Sequence, residues 1–249
     1  MPIFRFFSKV ARFAVPVIAS FSLSTGFAAH QLGSDQDQAE ALKGWKVQNM
    51  QAAASEIGIV NLGRRPWLRL KCDFGGSLTK GSAVGVLAEN SESKETDVRV
   101  RVRLRQGFLA AATLRCNPER ETGYAGGISS GDKLYITRMN QGRVKLLAKA
   151  ALPESLKGTH QDCWIRFKAG RDRFQLKAWP VGRPEPDAWA VEVEDCRFDS
   201  GLAGLGVSCF SPKLGGQPTA EALFEHVRIT RAGDETPPGH AAEPLRLGN

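Results

Sequence analysis

The chain has 249 residues and a formal net charge of +8. About 200 ordered residues suit a single sandwich or barrel domain with one sizeable core. No segment after residue 29 is apolar enough to cross a bilayer, so we expect no membrane span in the mature chain. The positive charge permits contact with anionic glycans, phosphate-bearing surfaces or nucleic acid without requiring any of them.

The first 28 residues have the three-part pattern of a secretory signal peptide. A basic start leads into an apolar stretch at 13–23 and then into small residues at 26–29. The apolar stretch is shorter than the roughly 20 residues that a spanning helix needs, which favours cleavage over membrane anchoring. We therefore expect cleavage after Ala28, export to the periplasm or the exterior, and a mature net charge of +5.

Two segments of distinct composition flank the central part of the chain. Residues 29–42 are polar and acidic, as is typical of a linker, and residues 232–249 are rich in Gly and Pro, as is typical of a disordered tail. The domain is therefore predicted to span residues 43–231. Short helices are expected only at Asp35–Leu42 and Pro153–Lys157.

The domain consists of strand patterns in close succession. Apolar alternation and short apolar runs bounded by Gly and Asn indicate strands. The predicted strands are 67–74, 83–88, 98–105, 108–116, 123–128, 134–139, 144–148, 164–169, 174–179, 189–194, 205–210 and 223–230. Asn140-Gln141-Gly142 predicts the turn of a hairpin, because Asn and Gly tolerate the backbone angles of tight turns.

The clearest strand is 98–105, where apolar and cationic residues alternate with period two. Side chains on a strand point alternately to opposite faces. The apolar set therefore faces the core and comprises Val98, Val100, Val102 and Leu104. The cationic set forms a row on the other face and comprises Arg99, Arg101, Arg103 and Arg105.

These patterns predict an all-β protein, an antiparallel two-sheet jelly-roll sandwich. Many strands, turns rich in Gly and Asn, and almost no helical periodicity favour this class. The alternation favours antiparallel sheets with one face in water, because parallel sheets are covered on both faces.

Five cysteines occur in the chain, namely Cys72, Cys116, Cys163, Cys196 and Cys209. In an exported protein disulfides are an alternative, although an odd count leaves at least one thiol free or paired between molecules. Three of the five share strand parity with apolar neighbours, which favours buried thiols. Their wide spacing argues against a zinc cluster, and the sequence does not assign a connectivity.

Four segments together carry a family resemblance: Trp164-Ile165-Arg166-Phe167, Phe174-Gln175-Leu176-Lys177-Ala178-Trp179-Pro180, Gly204-Leu205-Gly206-Val207 and Phe224-Glu225-His226-Val227-Arg228-Ile229. Their order, within Trp45–Thr230, resembles the concanavalin A-like lectin/glucanase superfamily, in particular its laminin G-like branch. The resemblance implies a curved jelly roll whose concave face or loop rim binds carbohydrate, often with a structural calcium ion. Glu225 and His226 stand where many members have an Asp, and no dense acidic loop offers the roughly six to eight oxygens that calcium needs. We therefore predict no cofactor and no metal site, with structural calcium as the alternative.

Two segments approach the motifs of hydrolytic enzymes. Active glucanases of the superfamily carry Glu-x-Asp-x-x-Glu on one strand, whereas Glu192–Arg197 has Cys196 and Arg197 where the third carboxylate belongs. A solvated strand face is the favoured interpretation of Glu192 and Glu194. The segment 127–131 matches Gly-x-Ser-x-Gly, but a strand and not a helix is predicted to follow, which favours a hairpin turn.

The predicted ligand-binding residues are Arg99, Arg101, Arg103, Arg115 and Tyr124, and we expect all five to lie on one concave face. Guanidinium groups on one sheet face bind sulfate, phosphate or uronate through bidentate hydrogen bonds, and a phenol ring stacks on a sugar. The alternative is a solvated strand face whose long cations cover apolar surface and discourage sheet aggregation.

The sequence therefore predicts an exported, non-catalytic carbohydrate-binding domain, with an anionic polysaccharide as a candidate ligand and no nucleic-acid partner. Two alternatives stay open. One is a glycoside hydrolase or polysaccharide lyase with an unorthodox acid/base pair. The other is a structural or adhesion module of the cell envelope. The sequence predicts no particular oligomeric state.

Overall fold

The fold was obtained as a computed structural model. The structure describes residues 42–50, 52–75, 82–158, 162–209 and 218–231. The predicted signal peptide, the linker up to residue 41, the tail at 232–249 and nearly all of the helix predicted at 35–42 lie outside the described residues. In the described ranges, no helix has the length and apolar character needed to span a membrane.

The described residues form fourteen strands and one short 3-10 helix, Glu154–Leu156. The strands are β1 (Trp45–Met50), β2 (Ala52–Leu62), β3 (Arg65–Phe74), β4 (Ser82–Ala88), β5 (Thr96–Gln106), β6 (Leu109–Asn117), β7 (Thr122–Ser129), β8 (Lys133–Asn140), β9 (Arg143–Ala151), β10 (Cys163–Ala169), β11 (Arg173–Pro180), β12 (Val191–Glu194), β13 (Leu202–Cys209) and β14 (Thr219–Arg231).

The strands pair into two antiparallel seven-stranded sheets that pack face to face. Sheet I has the order β1-β4-β13-β6-β7-β8-β9, and sheet II has the order β12-β11-β10-β5-β14-β3-β2. Neighbours in both sheets are antiparallel throughout. The predicted all-β, antiparallel two-sheet sandwich is confirmed.

The core lies between the inner faces of the two sheets. β5 occupies the middle of sheet II, and its side chains at 98, 100 and 102 have no exposed surface. They pack with Val84 and Leu205 of sheet I and with Phe167 of sheet II in one cluster. Full burial of such side chains stabilises the fold by about 1.5–3 kcal/mol each, so the alternation in β5 is sufficient to orient the whole strand.

All twelve predicted strands are present, with ends that differ by a few residues. The hairpin turn is also confirmed: Gln141 and Gly142 both have positive φ (52° and 72°), which a two-residue turn between twisted strands favours. β1 and β2 were not predicted, because neither shows a regular alternation of buried and exposed residues.

The cysteine side chains follow the expected parity. Cys72, Cys163 and Cys209 are buried, and Cys116 is buried as well, whereas Cys196 is exposed. The predicted helix at Pro153–Lys157 is reduced to a single 3-10 turn.

Candidate functional site

The arginine row of β5 lies on the outer face of sheet II, among aromatic and acidic side chains. Trp164 of β10 stands beside Arg101 on one side, and Glu225 of β14 stands beside it on the other. Because β5 is the central strand of sheet II, neighbouring strands supply partners from both sides.

Each guanidinium group of the row is paired with a carboxylate. Arg101 donates hydrogen bonds to Glu225 at 2.7 Å and to Asp162, which also accepts from Arg103. The two outer members pair at longer range, Arg99 with Glu185 at 3.4 Å and Arg105 with Glu221 at 3.5 Å. Burial raises the pKa of Asp162, but its hydrogen bonds to Arg103 and Arg101 outweigh this effect and hold the pKa below its ordinary value. The positive charge of the row is therefore largely neutralised within the protein.

Tryptophan rings lie beneath the same guanidinium groups. Arg101 is 5.0 Å from the centre of the Trp67 ring, and Arg99 is 4.8 Å from Trp164 and 5.3 Å from Trp179. Trp67 and Trp179 are only 2% and 3% exposed. The row thus forms a packed layer over apolar surface, an arrangement that favours the structural interpretation. Ligand binding by the row stays a prediction.

Arg115 lies elsewhere, on β6 of sheet I, and is 1% exposed. Its guanidinium donates hydrogen bonds to the carbonyl oxygens of Lys94 (2.8 and 3.0 Å), Phe198 (2.8 Å), Arg171 (3.0 Å) and Gly170. Burial is the main influence on its pKa and lowers it. Arg115 makes no ion pair with any described residue, and it joins three separate loops at one end of the sandwich.

Tyr124 is also internal, with 1% of its surface exposed. Its ring stacks on Phe174 at 4.0 Å, its hydroxyl donates to Asp195 at 2.6 Å, and the backbone N–H of Phe198 donates to it at 3.2 Å. Asp195 also accepts from Arg138 at 2.5 Å. Burial raises the pKa of Tyr124 to about 12, with the hydrogen bond to Asp195 acting in the same direction. A ring this enclosed is not available to stack on a sugar.

The structure therefore separates the five predicted residues into two groups. Arg99, Arg101 and Arg103 share the outer face of sheet II, whereas Arg115 and Tyr124 lie between the sheets at one end. The expectation that all five line one face is wrong. A β-bulge between Leu114 and Asn117 gives Arg115 a positive φ (52°) and disturbs the strand parity on which that expectation relied.

Arg115 and Tyr124 together fix one wall of a cleft at this end, which we call the rim cleft. Phe198 lines the cleft, and both its N–H and its C=O are held by the two buried side chains. The cleft has a volume of about 530 Å³. Its polar lining comprises Lys46, Glu89, Glu92, Asn117, Glu119, Arg120, Thr122, Arg197, Asp199 and Ser200.

The charged side chains of the rim cleft differ from the arginine row because most of them are unpaired. In the part of the chain that the structure describes, Asp199 pairs with Lys94 at 3.7 Å, whereas no ion pair involves Glu89, Glu119 or Arg197. The cleft has three cations and four carboxylates, so its charge nearly balances. Planar carboxylate, amide and guanidinium groups can each bind two neighbouring hydroxyl groups.

A second, smaller cavity of about 80 Å³ lies against sheet I. Apolar side chains, among them Met50, Leu109, Met139 and Val144, dominate its lining. Gln48 also lines it and is 6% exposed, and its side-chain nitrogen has no hydrogen-bond partner among the residues that the structure describes. Ligand sites of small molecules usually measure about 300–1,000 Å³, so the rim cleft is the better candidate.

The hydrolase-like motifs occupy ordinary strand positions. Glu192 lies on β12, a four-residue edge strand, where it pairs with Arg173 at 3.0 Å and accepts from Gln175 at 2.9 Å. Ser129 ends β7, and strand β8 follows, as the hairpin interpretation requires. Among the described residues, no group of three His, Cys, Asp or Glu side chains is arranged to hold a metal ion.

Comparisons with known proteins define the class of fold. No protein-family model and no curated protein matches the sequence. Among solved structures, the chain is similar to the carbohydrate binding module CBM66 from Bacillus subtilis, with a TM-score of 0.51 and 15% identity over 75% of this chain and 94% of that chain. This likeness shows that the protein has a concanavalin A-like β-sandwich fold.

Two further structures show weaker likeness. A protein of unknown function with a galectin-like fold from Bacillus subtilis has a TM-score of 0.47 and 11% identity over 81% of this chain and 94% of that chain. The exoplasmic/lumenal domain of VIP36 in its Ca²⁺/Man-bound form has a TM-score of 0.43 and 11% identity over 82% of this chain and 87% of that chain.

Proposed function

We propose that this protein is an exported, non-catalytic carbohydrate-binding domain whose ligand occupies the rim cleft. The observation that carries the proposal is a cleft of about 530 Å³ in which most charged side chains make no ion pair with a described residue, beside Phe198, whose backbone N–H and C=O are held by the buried Tyr124 and Arg115. A solved structure of the same fold is a carbohydrate binding module, which agrees with the proposal. Export rests on the signal-peptide pattern of residues 1–28.

The ordered backbone at Phe198 favours binding, because this part of the cleft is already fixed by folding. A ligand then binds without the loss of conformational entropy that ordering a flexible loop would require. Phe198 is bound at both backbone polar groups, and its half-buried ring offers an apolar edge beside charged and amide groups. A sugar has the matching chemistry, since its hydroxyl groups need planar hydrogen-bonding partners and its C–H faces pack on apolar surface.

The near balance of charge in the rim cleft favours a neutral glycan. A polyanion needs an excess of unpaired cations, whereas the cleft has four carboxylates against three cations and the β5 row is already paired. An anionic polysaccharide bound by the row is the second candidate, supported by the exposure of the Arg99 and Arg105 side chains (40% and 44%). Membership of the laminin G-like branch rests on the order of the sequence signals alone.

The test is binding of the mature chain to a panel of neutral, sulfated and uronate-containing polysaccharides. The proposed site predicts binding to a neutral polysaccharide that Arg197→Ala or Glu119→Ala weakens about 10-fold or more, the loss of one charged hydrogen bond. Added salt should have little effect, because a neutral ligand releases no counterions.

Two matched variants serve as controls. Arg143→Ala removes an exposed arginine from β9, and Arg105→Glu reverses the most exposed member of the β5 row. Both should bind the neutral polysaccharide like the wild type. Binding only to anionic polysaccharides, lost in Arg105→Glu and retained in Arg197→Ala, would favour the second candidate. Release of reducing ends from any polysaccharide would show that the domain is catalytic.

A further inference from the structure

Two buried cysteines from opposite sheets lie in contact. Cys72 belongs to β3 of sheet II, and Cys209 is the last residue of β13 in sheet I. Their sulfur atoms are 3.9 Å apart, and the residues are 1% and 0% exposed. The other three cysteines make no sulfur–sulfur contact within the described ranges. We infer that Cys72 and Cys209 form a disulfide that joins the two sheets.

The two cysteines lie at a corner of the sandwich where a disulfide would join β3 to β13. The chain crosses between the sheets twice at this corner, once from β3 to β4 and once from β13 to β14. The N–H of Phe74 donates to the carbonyl of Pro218 at 2.7 Å, so the end of β3 and the start of β14 lie side by side. Cα atoms of β3 and β13 approach within 8 Å, closer than the usual spacing of about 10 Å between stacked sheets. A disulfide bond is about 2.0 Å long and typically joins residues whose Cα atoms are about 4.4–6.8 Å apart, so the two sulfur atoms, now 3.9 Å apart, move closer together when the bond forms.

The bond would form by thiol–disulfide exchange. In the reduced fold the two thiols share a hydrogen bond in which either sulfur can be the donor, and this contact holds the pKa of the Cys209 thiol below its ordinary value and the pKa of the Cys72 thiol above it. During folding, the thiolate of one cysteine attacks the disulfide of an oxidant, a small-molecule or protein disulfide, and displaces one thiolate. The thiolate of the other cysteine then attacks the mixed disulfide and releases the second thiolate. The protein loses two electrons and two protons, and the oxidant disulfide becomes two thiols.

Both sulfur atoms are inaccessible in the folded protein, so the bond forms during folding, before the corner closes. Its formation in the cell rests on the proposed export into an oxidising compartment. The bond closes a loop of 137 residues and therefore constrains much of the unfolded chain. It accounts for two of the five cysteines and leaves an odd number of free thiols.

The inference is tested on the mature chain carrying Cys196→Ser, which removes the exposed thiol. The protein is unfolded in urea with a reductant and refolded in a mixture of oxidised and reduced glutathione. We expect the number of free thiols to fall from four to two and a non-reducing digest to contain a peptide pair linking Cys72 and Cys209. The urea midpoint of the oxidised form should exceed that of the same protein after reduction.

A second variant distinguishes the stabilising effect of the Cys72–Cys209 disulfide from other effects of oxidation on the protein. Adding Cys72→Ala should abolish the linked peptide and the difference between the midpoints. The peptide map of the Cys196→Ser protein decides the question even if Cys72→Ala does not fold. Four free thiols after oxidative refolding, or a linked pair that includes Cys116 or Cys163, would overturn the inference. Glycan binding is measured separately on the reduced protein, so failure of either proposal is distinguishable from failure of the other.

Discussion

Arg115 is a charged side chain in the protein interior whose described hydrogen-bond partners are main-chain carbonyl oxygens. A buried guanidinium is tolerated only when hydrogen bonds replace its hydration. The carbonyl groups of Lys94, Gly170, Arg171 and Phe198 supply these bonds, and they belong to three loops. One side chain therefore sets the relative positions of the loops beside the rim cleft.

Arg115→Met keeps an unbranched, flexible side chain but removes the guanidinium and leaves these carbonyl groups without its donors. We expect it to lower the free energy of unfolding by about 3 kcal/mol, because buried polar groups then lack partners. Urea unfolding measures the change. The control Arg120→Met removes an exposed arginine of the adjacent turn and should stay within about 0.5 kcal/mol of the wild type. Equal stability of the two variants would show that the carbonyl groups do not depend on Arg115.

Tyr124 gives a second prediction at this scale, because its pKa is raised to about 12. The chain has two tyrosines, so Tyr135→Phe leaves Tyr124 as the only phenol. Its phenolate absorbance should appear near pH 12 in the folded protein and near pH 10 in urea. A raised pKa favours the neutral phenol in the fold, so the corresponding stability is complete below pH 10 and is lost as the pH rises towards 12. Titration near pH 10 without unfolding would contradict this account.

At the scale of elements, the alternation of apolar and cationic residues in β5 determines which side chains face the core. The topology of sheet II determines which residues contact its outer face. The outer-face partners Asp162, Glu225 and Trp67 come from distant parts of the chain. They approach β5 only because β10 and β14 pair with it and β3 pairs with β14.

Asp162→Asn tests whether the ion pairs of the β5 arginine row stabilise the fold. It removes the carboxylate that Arg101 and Arg103 share, and we expect the free energy of unfolding to fall by about 1–3 kcal/mol. Asp162 has a lowered pKa, so its contribution is present above about pH 4 and is lost as the pH falls further. Urea unfolding between pH 7 and pH 2 should therefore show a smaller acid-dependent loss in Asp162→Asn than in the wild type.

Asp199→Asn is the matched control for that substitution, because the Asp199 side chain is 79% exposed. Its acid dependence should resemble the wild type. An unchanged pH profile in Asp162→Asn would mean that the arginine row is stable without its shared carboxylate.

Elements also differ in how far the sequence determines them. Strands inside the sheets alternate because one face is buried, whereas the edge strands β1 and β2 lack that signal. For the site, the sequence analysis predicted Arg115 and Tyr124 to bind ligand on a sheet face, whereas the structure places both side chains in the interior. The bulge near Arg115 is a local backbone event that strand parity does not reveal.

At the scale of the whole molecule, the rim cleft is assembled from segments that are remote in sequence. Residues 89–92, 117–122 and 197–202 meet only because two sheets fold over each other and their loops gather at one end. No motif or residue spacing in the sequence predicts that these three segments lie close together. The net charge was also a poor guide, since the cations of the β5 row are paired internally and the cleft is close to neutral.

The most direct measurement is a map of backbone amide chemical shifts of the mature protein during titration with an oligosaccharide from its preferred polysaccharide. We predict that the largest changes fall at Phe198, Asp199 and the turn at 117–121, with little change along β5. Saturable changes confined to the outer faces of β5, β10 and β14, with the rim cleft unaffected, would contradict the proposed site.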